Sequence, residues 1–582
     1  TLAPTTVPAQ STSTAKSPPQ RRPWVPTAAG LLCLFAGGLD LVSALTHSDR
    51  GRLRMLTDAF PGALTRASTA ATLVTGVLLV LVARGLQRRK QRAWRITAVL
   101  LLSSVAFHVL KGLDYEEAAV AGVLLVALVA FRSEFYAEGD PRTRWRALGS
   151  FLVLFLTSYL LGLALIGLRS SSLVEPFQVS TASAEVVLGF VGVNGPVEFQ
   201  PSRRGERSSD LVADSLFALG LLTVVSTAYL VLRPAEPIAR LSPEDEARMR
   251  TLLTRQGGRD SLGYFALRRD KSVIWSPTGK ACVAYRVVSG VMLASGDPLG
   301  DPEAWPGALA AFLEMADRHA WTPAVMGCGE QAGTAWARVG LSALEIGDEA
   351  VVEVGDFSLE GRAMRNVRQA VARVERSGYT VDVRRASDIG EQESAGLRAQ
   401  AQAWRGAETE RGFSMALGRF GDPADPECVA ALAFQDGALR GFLHFVPWGP
   451  NGLSLDLMRR DREADNGVNE LLIAKALQAG PALGVTRFSL NFAVFRSSLE
   501  RGERLGAGPV LRAWRGFLLF ASRWFQIETL YRFNAKFRPI WEPRFVCYPT
   551  ARDLPRVALA ALEAEAFLVW PLTGDRDLLQ LV

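Results

Sequence analysis

The stretches LSLDLMRR (453–460), NGVNELLIAKAL (466–477) and TRFSLNFAVFRS (486–497) decide the fold of the C-terminal half. The first alternates Leu453, Leu455 and Leu457 with Ser454, Asp456 and Met458, the period of a half-buried strand. In the second, Asp465 or Asn466 is placed to cap a helix with Val468, Leu471, Leu472 and Ala476 in its apolar stripe. Gly480-Pro481 ends it. In the third, Thr486, Phe488, Leu490 and Phe492 share a face opposite Arg487, Ser489 and Asn491. A strand, a helix and a strand in such close succession make a βαβ crossover, so the two strands should run parallel. Asp456 and Arg459 then fall at the carboxyl end of the first strand, and Asn491 and Arg496 near that of the second. In open α/β sheets ligands bind at this rim.

Working outward, 582 residues exceed one ordinary domain. Hydrophobic residues make up 49% and mean hydropathy is +0.14, high for a wholly soluble protein. The five cysteines (Cys33, Cys282, Cys328, Cys428, Cys547) stand singly, which excludes a disulfide framework or zinc ribbon. The four histidines (His47, His108, His319, His444) are not at ligand spacing, and no metal is expected.

Residues 1–22, rich in Ser, Thr, Pro and Ala, read as a disordered tail. A transmembrane domain follows over 23–232, with six spans expected near 24–46, 64–83, 96–111, 115–131, 148–168 and 211–232. The first, fifth and sixth are long enough to cross a bilayer unaided. The loop RGLQRRKQRAWR (84–95) carries six basic residues and no acid, and the loop 131–146 carries four arginines. By the positive-inside rule both are cytoplasmic, as is the chain from Arg233 onward, while the loop 169–210 is outside. Asp40, His108, Lys111 and Asp114 are ionisable groups near the spans, and Asp40 in GGLDL is the candidate for lipid handling.

A linker and helix (233–254) lead to 255–358, with strands near 262–268, 272–276, 281–287 and 291–295, a helix near 303–319 and a strand near 322–327. From 359 to 582 the pattern starts again, with a helix at 359–376, three strands between 427 and 458, and the βαβ unit. Two successive copies of helix, antiparallel strands and βαβ read as a tandem of GNAT-like (acyl-CoA N-acyltransferase-like) α+β units.

Coenzyme A sites of such folds use a glycine-rich turn whose N–H groups cradle pyrophosphate. Here RRDREADNGVNE (459–470) has one glycine and the acids Asp461, Glu463 and Asp465, which repel phosphate. Between Arg496 and Arg544 lie ten basic and four acidic residues, interleaved with Trp514, Trp524, Phe525, Tyr531, Phe533, Phe537 and Trp541. This composition suits an unpaired RNA end, anionic lipid head groups, or a solvated face over an aromatic core. Arg362, Arg365, Arg373 and Arg376 share a face of the 359–376 helix opposite Val367, Ala370, Val371 and Val374, as in an RNA contact or any exposed helix. Taken alone, Asp456 and Arg459 read as a structural ion pair, and His444 as a satisfied sheet histidine.

The runs DLMRR (456–460), NGVNELL, LNFAVFRS and NAKFRPIWEPRF (534–545) resemble the catalytic domain of the bacterial aminoacyl-phosphatidylglycerol synthases, the lysylphosphatidylglycerol synthase or multiple peptide resistance factor family. The actinobacterial branch is most similar. Upstream, GYFALRRDKSVIWS, YRVVSGVMLASGDPLGDP and GRAMRNVRQAVARVE extend the likeness over 255–550. The resemblance implies the GNAT-like fold, and transfer of an amino acid, lysine first, from aminoacyl-tRNA to a hydroxyl of phosphatidylglycerol. No cofactor is implied, because the tRNA ester is already activated. A cationic head group lowers surface negative charge and so weakens adsorption of cationic peptides.

The family's functional residues match at Asp456, Arg459 and Lys536. Asp456 would orient or deprotonate the acceptor hydroxyl or hold the substrate's amino group, Arg459 would hold phosphate, and Lys536 would stabilise charge near the carbonyl. Asn491, Arg496, Glu528 and Tyr531 are substrate-binding candidates by proximity to the rim. Arg362, Arg365, Arg373 and Arg376 are the tRNA-binding candidates. The expected setting is the plasma membrane, multi-pass, with the catalytic half cytoplasmic and an oligomer allowed. Some relatives carry a fused lysyl-tRNA synthetase; this chain ends at Val582 without one, so a separate synthetase is expected to supply the aminoacyl-tRNA. The rival readings are a membrane-anchored coenzyme A-dependent N-acyltransferase and a lipid flippase with a regulatory soluble half.

Overall fold

The computed structural model describes residues 22, 24–45, 62–112, 115–137, 142–232, 237–406, 412–494 and 527–568. The chain divides into two compact units, Thr1–Ala235 and Glu236–Val582.

The described part of the first unit is helical: α1 (Trp24–Leu45), α2 (Gly62–Gln87), α3 (Gln91–Gly112), α4 (Tyr115–Ala130), α5 (Arg142–Leu168), α6 (Val179–Gly189) and α7 (Arg203–Leu232). Three stretches, Trp24–Val42, Leu148–Leu168 and Ser208–Tyr229, are long and apolar enough to cross a membrane; Ala71–Gln87 and Ala118–Ala130 are shorter. Helices α1 to α4 bury Cys33, Ala36, Leu79, Val82, Leu86 and Leu101 against one another. Val123, Val126, Leu152, Val153 and Leu156 stay exposed, an apolar exterior that lipid satisfies and water does not.

The expected outer loop 169–210 contains a helix, α6, because Ala182 and Val186 pack on Ile166, Val212 and Leu216. Asp40 is buried and accepts from Ser104 Oγ at 3.4 Å. The two basic loops meet: Lys90 bridges Ala137, and Arg89 Nη1 donates to Glu134 Oε2 at 2.8 Å.

The second unit opens with α8 (Pro243–Gln256), capped by Ser242 Oγ on the Asp245 N–H at 3.1 Å. Its strands are β1 (Ser272–Trp275), β2 (Ala281–Val288), β3 (Val291–Ser295), β4 (Leu299–Gly300), β5 (Thr322–Cys328), β6 (Ser342–Glu353), β7 (Tyr379–Arg385), β8 (Val429–Gln435), β9 (Ala438–Trp448), β10 (Gly452–Arg460), β11 (Arg487–Val494) and β12 (Ile540–Tyr548). They form one twelve-stranded sheet in the order β1-β2-β3-β5-β12-β6-β11-β10-β9-β8-β7, with β4 on β2.

The order repeats about its centre. β3 and β5 are parallel and β5 meets β12 antiparallel; β10 and β11 are parallel and β11 meets β6 antiparallel. In the middle pair β6 precedes residue 358 and β12 lies near the end of the unit, so the sheet crosses the boundary expected there.

Helices α9 (Trp305–Arg318) and α10 (Glu330–Arg338) cover the first half, where Phe312 and Trp336 meet edge to face. Helices α11 (Arg365–Arg376) and α13 (Val468–Ala479) cover the second, while α12 (Glu391–Arg405) contributes Leu397 to a smaller cluster with Phe420 and Phe442. Helices α14 (Ile527–Ala535) and α15 (Leu554–Ala564) complete the unit.

The βαβ reading of β10, α13 and β11 holds, with parallel strands. Details differ. Both faces of Gly452–Leu455 are buried, so the Leu/Ser alternation does not mark inside from outside. Gly467, at φ +109°, caps α13 in place of Asp465 or Asn466. Helix α11 starts at Arg365, not 359, because the preceding turn is tied back by Arg368 to the carbonyls of Leu359 and Gly361.

The strand expected at 262–268 is a buried 3-10 turn, Gly263–Leu267, whose Phe265 carbonyl accepts from Lys271 Nζ at 2.9 Å. That ammonium also donates to Ser295 Oγ at 2.8 Å and lies 4.6 Å from the Phe413 ring centre. Burial pushes the Lys271 pKa down to about 7. An unfolded lysine holds its proton to about pH 10.4, so between these values the unfolded chain binds more protons and stability rises with pH. The thermal midpoint of the full chain in detergent is expected to climb from pH 7 to 9, and this climb should be lost in Lys271→Met. Equal slopes for the two proteins would refute the assignment.

Candidate active site

β10 and β11 pair over only three positions, Gly452↔Arg487, Leu453↔Phe488 and Ser454↔Ser489. Beyond them β10 bulges between Leu455 and Leu457, and β11 shifts register against β6 between Ser489 and Phe492. Asn491 takes φ +71°, a conformation open to Asn and costly for most residues. The parallel strands therefore part inside the sheet, not at its rim. Across the gap Asn491 Nδ2 donates to the Leu455 carbonyl at 2.8 Å, while Asn491 Oδ1 is buried without a partner among the described residues.

Asp456 sits in the bulge. Its Oδ2 is 2.7 Å from His444 Nδ1 on β9, and its Oδ1 accepts the Leu417 N–H at 2.6 Å. Asp456 and His444 side chains are 4% and 2% exposed. The Phe420 ring meets His444 edge-on at 4.9 Å. The carboxylate pairs with His444 and a backbone amide, and the ion pair with Arg459 read from the sequence is not among the contacts of the described residues. His444 is satisfied, as expected, but its partner is Asp456, the carboxylate proposed from the sequence to act on the acceptor hydroxyl.

Leu417 and Phe420 come from the segment 412–421, GFSMALGRFG, which sequence reading left unassigned. Gly412, Gly418 and Gly421 have φ of +118°, +76° and +66°, so the backbone can fold into turns that side chains resist. Glu565 at the end of α15 accepts the Phe413 and Ser414 N–H groups at 2.7 and 3.0 Å. Arg268 Nη1 holds the Ala416 carbonyl at 3.1 Å, and Arg419 Nη1 holds that of Leu267 at 2.8 Å. Arg419 and Arg250 both pair with Asp425 at 2.7 Å. Burial works against the Asp425 charge, but these guanidiniums outweigh it and hold its carboxyl below the usual range. Three glycines within ten residues, set among Phe413, Leu417 and Phe420, were the available signal.

Lys536 follows α14, with its side chain 41% exposed and Nζ 2.8 Å from Glu470 Oε1 on α13. Asn534 Nδ2 donates to the Leu490 carbonyl at 3.2 Å, which ties the NAKF motif to β11 beside Asn491. The Asp456 side chain is 4% exposed and the Lys536 side chain 41%; each bonds other partners, and no hydrogen bond or ion pair joins the two directly. Arg459 lies on β10 opposite Phe442. Tyr531 packs on Trp541 with ring centres 5.6 Å apart. Arg496, most of the basic and aromatic stretch, and the Glu528 side chain lie outside the described residues.

Arg365, Arg373 and Arg376 are exposed on α11; Arg362 is exposed on the turn before it. Arg373 bonds the Asn466 carbonyl at the start of α13, so the basic helix lies against the βαβ unit.

A helical unit with membrane-length apolar segments, and a sheet whose parallel strands part around a buried carboxylate, define a membrane protein with a C-terminal α/β domain. Residues 250–548 match the family described as phosphatidylglycerol lysyltransferase, C-terminal, and residues 21–231 match the transmembrane region of lysyl-tRNA synthetase. The lysylphosphatidylglycerol biosynthesis bifunctional protein LysX of Rhodococcus opacus is 43% identical over 86% of this chain and 45% of its own length. The protein of that name from Mycobacterium sp. strain JLS is 39% identical over 96% of this chain and 52% of its own. The chain thus spans about half the length of the curated relatives it matches. Among solved structures, the C-terminal domain of a lysylphosphatidylglycerol synthetase from Agrobacterium fabrum is 25% identical, covering 55% of this chain and 95% of its own, with a TM-score of 0.47. The chain belongs to the phosphatidylglycerol lysyltransferase family.

Proposed function

We propose that the chain transfers lysine from lysyl-tRNA to a hydroxyl of phosphatidylglycerol. The observation that carries this reading is the parting of β10 and β11 around the Asp456–His444 pair, inside the segment that matches the family. In the reaction the lipid hydroxyl oxygen bonds to the ester carbonyl carbon and the bond to the tRNA ribose breaks. The hydroxyl proton leaves to a base and the ribose oxygen gains one. Asp456 fixes the His444 ring through Nδ1, and the pair takes up the hydroxyl proton.

Asn491 Oδ1, buried and without a partner among the described residues, accepts from the substrate's amino group. Arg459 holds phosphate through its forked donors. Lys536 exchanges Glu470 for the charge that develops at the carbonyl. Arg362, Arg365, Arg373 and Arg376 contact tRNA, which a lysyl-tRNA synthetase must charge.

The sheet is a tandem of two acyltransferase-like halves, 255–358 and 359–582, that exchange β6 and β12. Helices α1 to α5 and α7 span the plasma membrane, and the joined basic loops lie in the cytoplasm with the second unit. The product makes the membrane less anionic, which protects against cationic peptides.

Expression in a host lacking aminoacylated lipid, followed by mass spectrometry of extracted head groups, tests the reading. Lysylphosphatidylglycerol should appear with the wild-type chain, and its synthesis in isolated membranes should stop on ribonuclease treatment. A modified lipid that needs acetyl-CoA and survives ribonuclease would overturn it.

A further inference from the structure

Bonded through its neighbours to both strands where β10 and β11 part is a buried arginine of the NAKFRPIWEPRF run, to which neither the sequence reading nor the proposed chemistry gives a role. Arg544, on β12, is 4% exposed. Its Nη2 donates to Ser261 Oγ at 2.7 Å, and the Ser261 carbonyl accepts from Ser454 Oγ at 2.8 Å. On the other side Arg544 Nε donates to Glu349 Oε2 at 2.9 Å, and Glu349 Oε1 accepts from Ser489 Oγ. Ser454 and Ser489 are register partners, the last pair before the strands separate. Both strands are therefore tied to one guanidinium at the base of the gap.

The chain of contacts continues upward on one side. Ser489 Oγ accepts the Asn491 N–H at 3.3 Å, which stabilises the left-handed bulge, and Asn491 Nδ2 grips the Leu455 carbonyl, one residue before Asp456. Below, Arg544 Nη1 is anchored on Asp260 Oδ1 at 2.7 Å. Ser261, Glu349 and Ser489 are fully buried, and Ser454 is 1% exposed, so water does not compete for these bonds. Burial opposes the Arg544 charge, but Glu349, Asp260 and Asp297 outweigh it and hold the guanidinium charged.

We infer that Arg544, acting through Glu349 and Ser489, is a positioning group for the transfer: it sets the spacing between Asp456 and Asn491. This rests on the proposed reaction at that gap. None of the three need touch substrate. Their effect is on geometry, and a reacting group misplaced by about 1 Å costs up to roughly 100-fold in rate.

Removing Arg544 itself would strand its carboxylates, so the test uses Glu349→Gln and Ser489→Ala in the full chain, in membranes supplied with lysyl-tRNA and phosphatidylglycerol vesicles. Phe312→Leu, on the buried face of α9, serves as a comparison that loosens packing away from the gap. Glu349→Gln and Ser489→Ala are expected to lower kcat about tenfold while KM for lysyl-tRNA stays within about twofold. Ser489→Thr, which keeps the hydroxyl, should regain most of the rate. Phe312→Leu should lower the thermal midpoint and leave kcat per folded molecule unchanged. Wild-type kcat in both Glu349→Gln and Ser489→Ala, or losses that only follow the folded fraction as in Phe312→Leu, would overturn the positioning role and leave the reaction standing. Wild-type membranes that form no aminoacylated lipid would overturn both.

Discussion

Asp456→Asn is expected to lower kcat for aminoacyl-lipid formation by about 10²–10⁴-fold, the range over which a positioned acid–base group acts, with the protein folded and in the membrane. The substitution keeps the side-chain shape, and Asn Oδ1 can still accept the Leu417 N–H now 2.6 Å from Asp456. What changes is the face toward His444. The carboxylate oxygen 2.7 Å from Nδ1 holds a proton there and leaves the far ring nitrogen free to accept one. An amide turned to satisfy Leu417 presents N–H₂ to Nδ1 instead, so the ring proton moves to Nε2 and the base is lost. KM for lysyl-tRNA should move little, because the pair acts on the lipid hydroxyl and the tRNA contacts proposed are elsewhere. Rates within threefold of wild type, measured by head-group labelling on folded protein, would remove Asp456 from the chemistry.

The crossover that carries Asp456 was legible because its core is apolar and its helix and strands keep their own periods. Leu471, Leu472 and Phe488 all enter the core as their spacing requires. The central strands were not legible. β6 carries Asp348 and Glu349, and β12 carries Glu542, Pro543 and Arg544, residues that in a sequence argue for a surface or a loop. They occupy the middle of the sheet because Arg544 and Glu349 neutralise each other 195 residues apart, a pairing that no local pattern announces. His444 was invisible as a partner for the same kind of reason. Its strand alternation marks it as buried, but the bulge that turns Asp456 toward it is a property of the β9–β10 register. Segment 412–421 has no period at all, and its fixed shape comes from bonds to Glu565, Arg268 and Arg419 far along the chain.

Arg544→Met should be the most destabilising single change in the second unit, by about 3–5 kcal/mol, the usual cost of leaving a buried charge without its partner. Methionine fills most of the volume, so the loss is electrostatic and not a cavity. It strands Glu349, fully buried, and Asp260, 5% exposed, and it frees Ser261 Oγ and one bond to the Gly327 carbonyl. Glu349→Gln alone should cost less, since glutamine still bonds Ser489, and adding it to Arg544→Met should recover part of the loss. A double-mutant cycle in which the two effects simply add would show that the pair is not coupled. An Arg544→Met variant as stable as the wild type would mean that water reaches the cluster and that the strands around Asp456 are held by something other than this arginine.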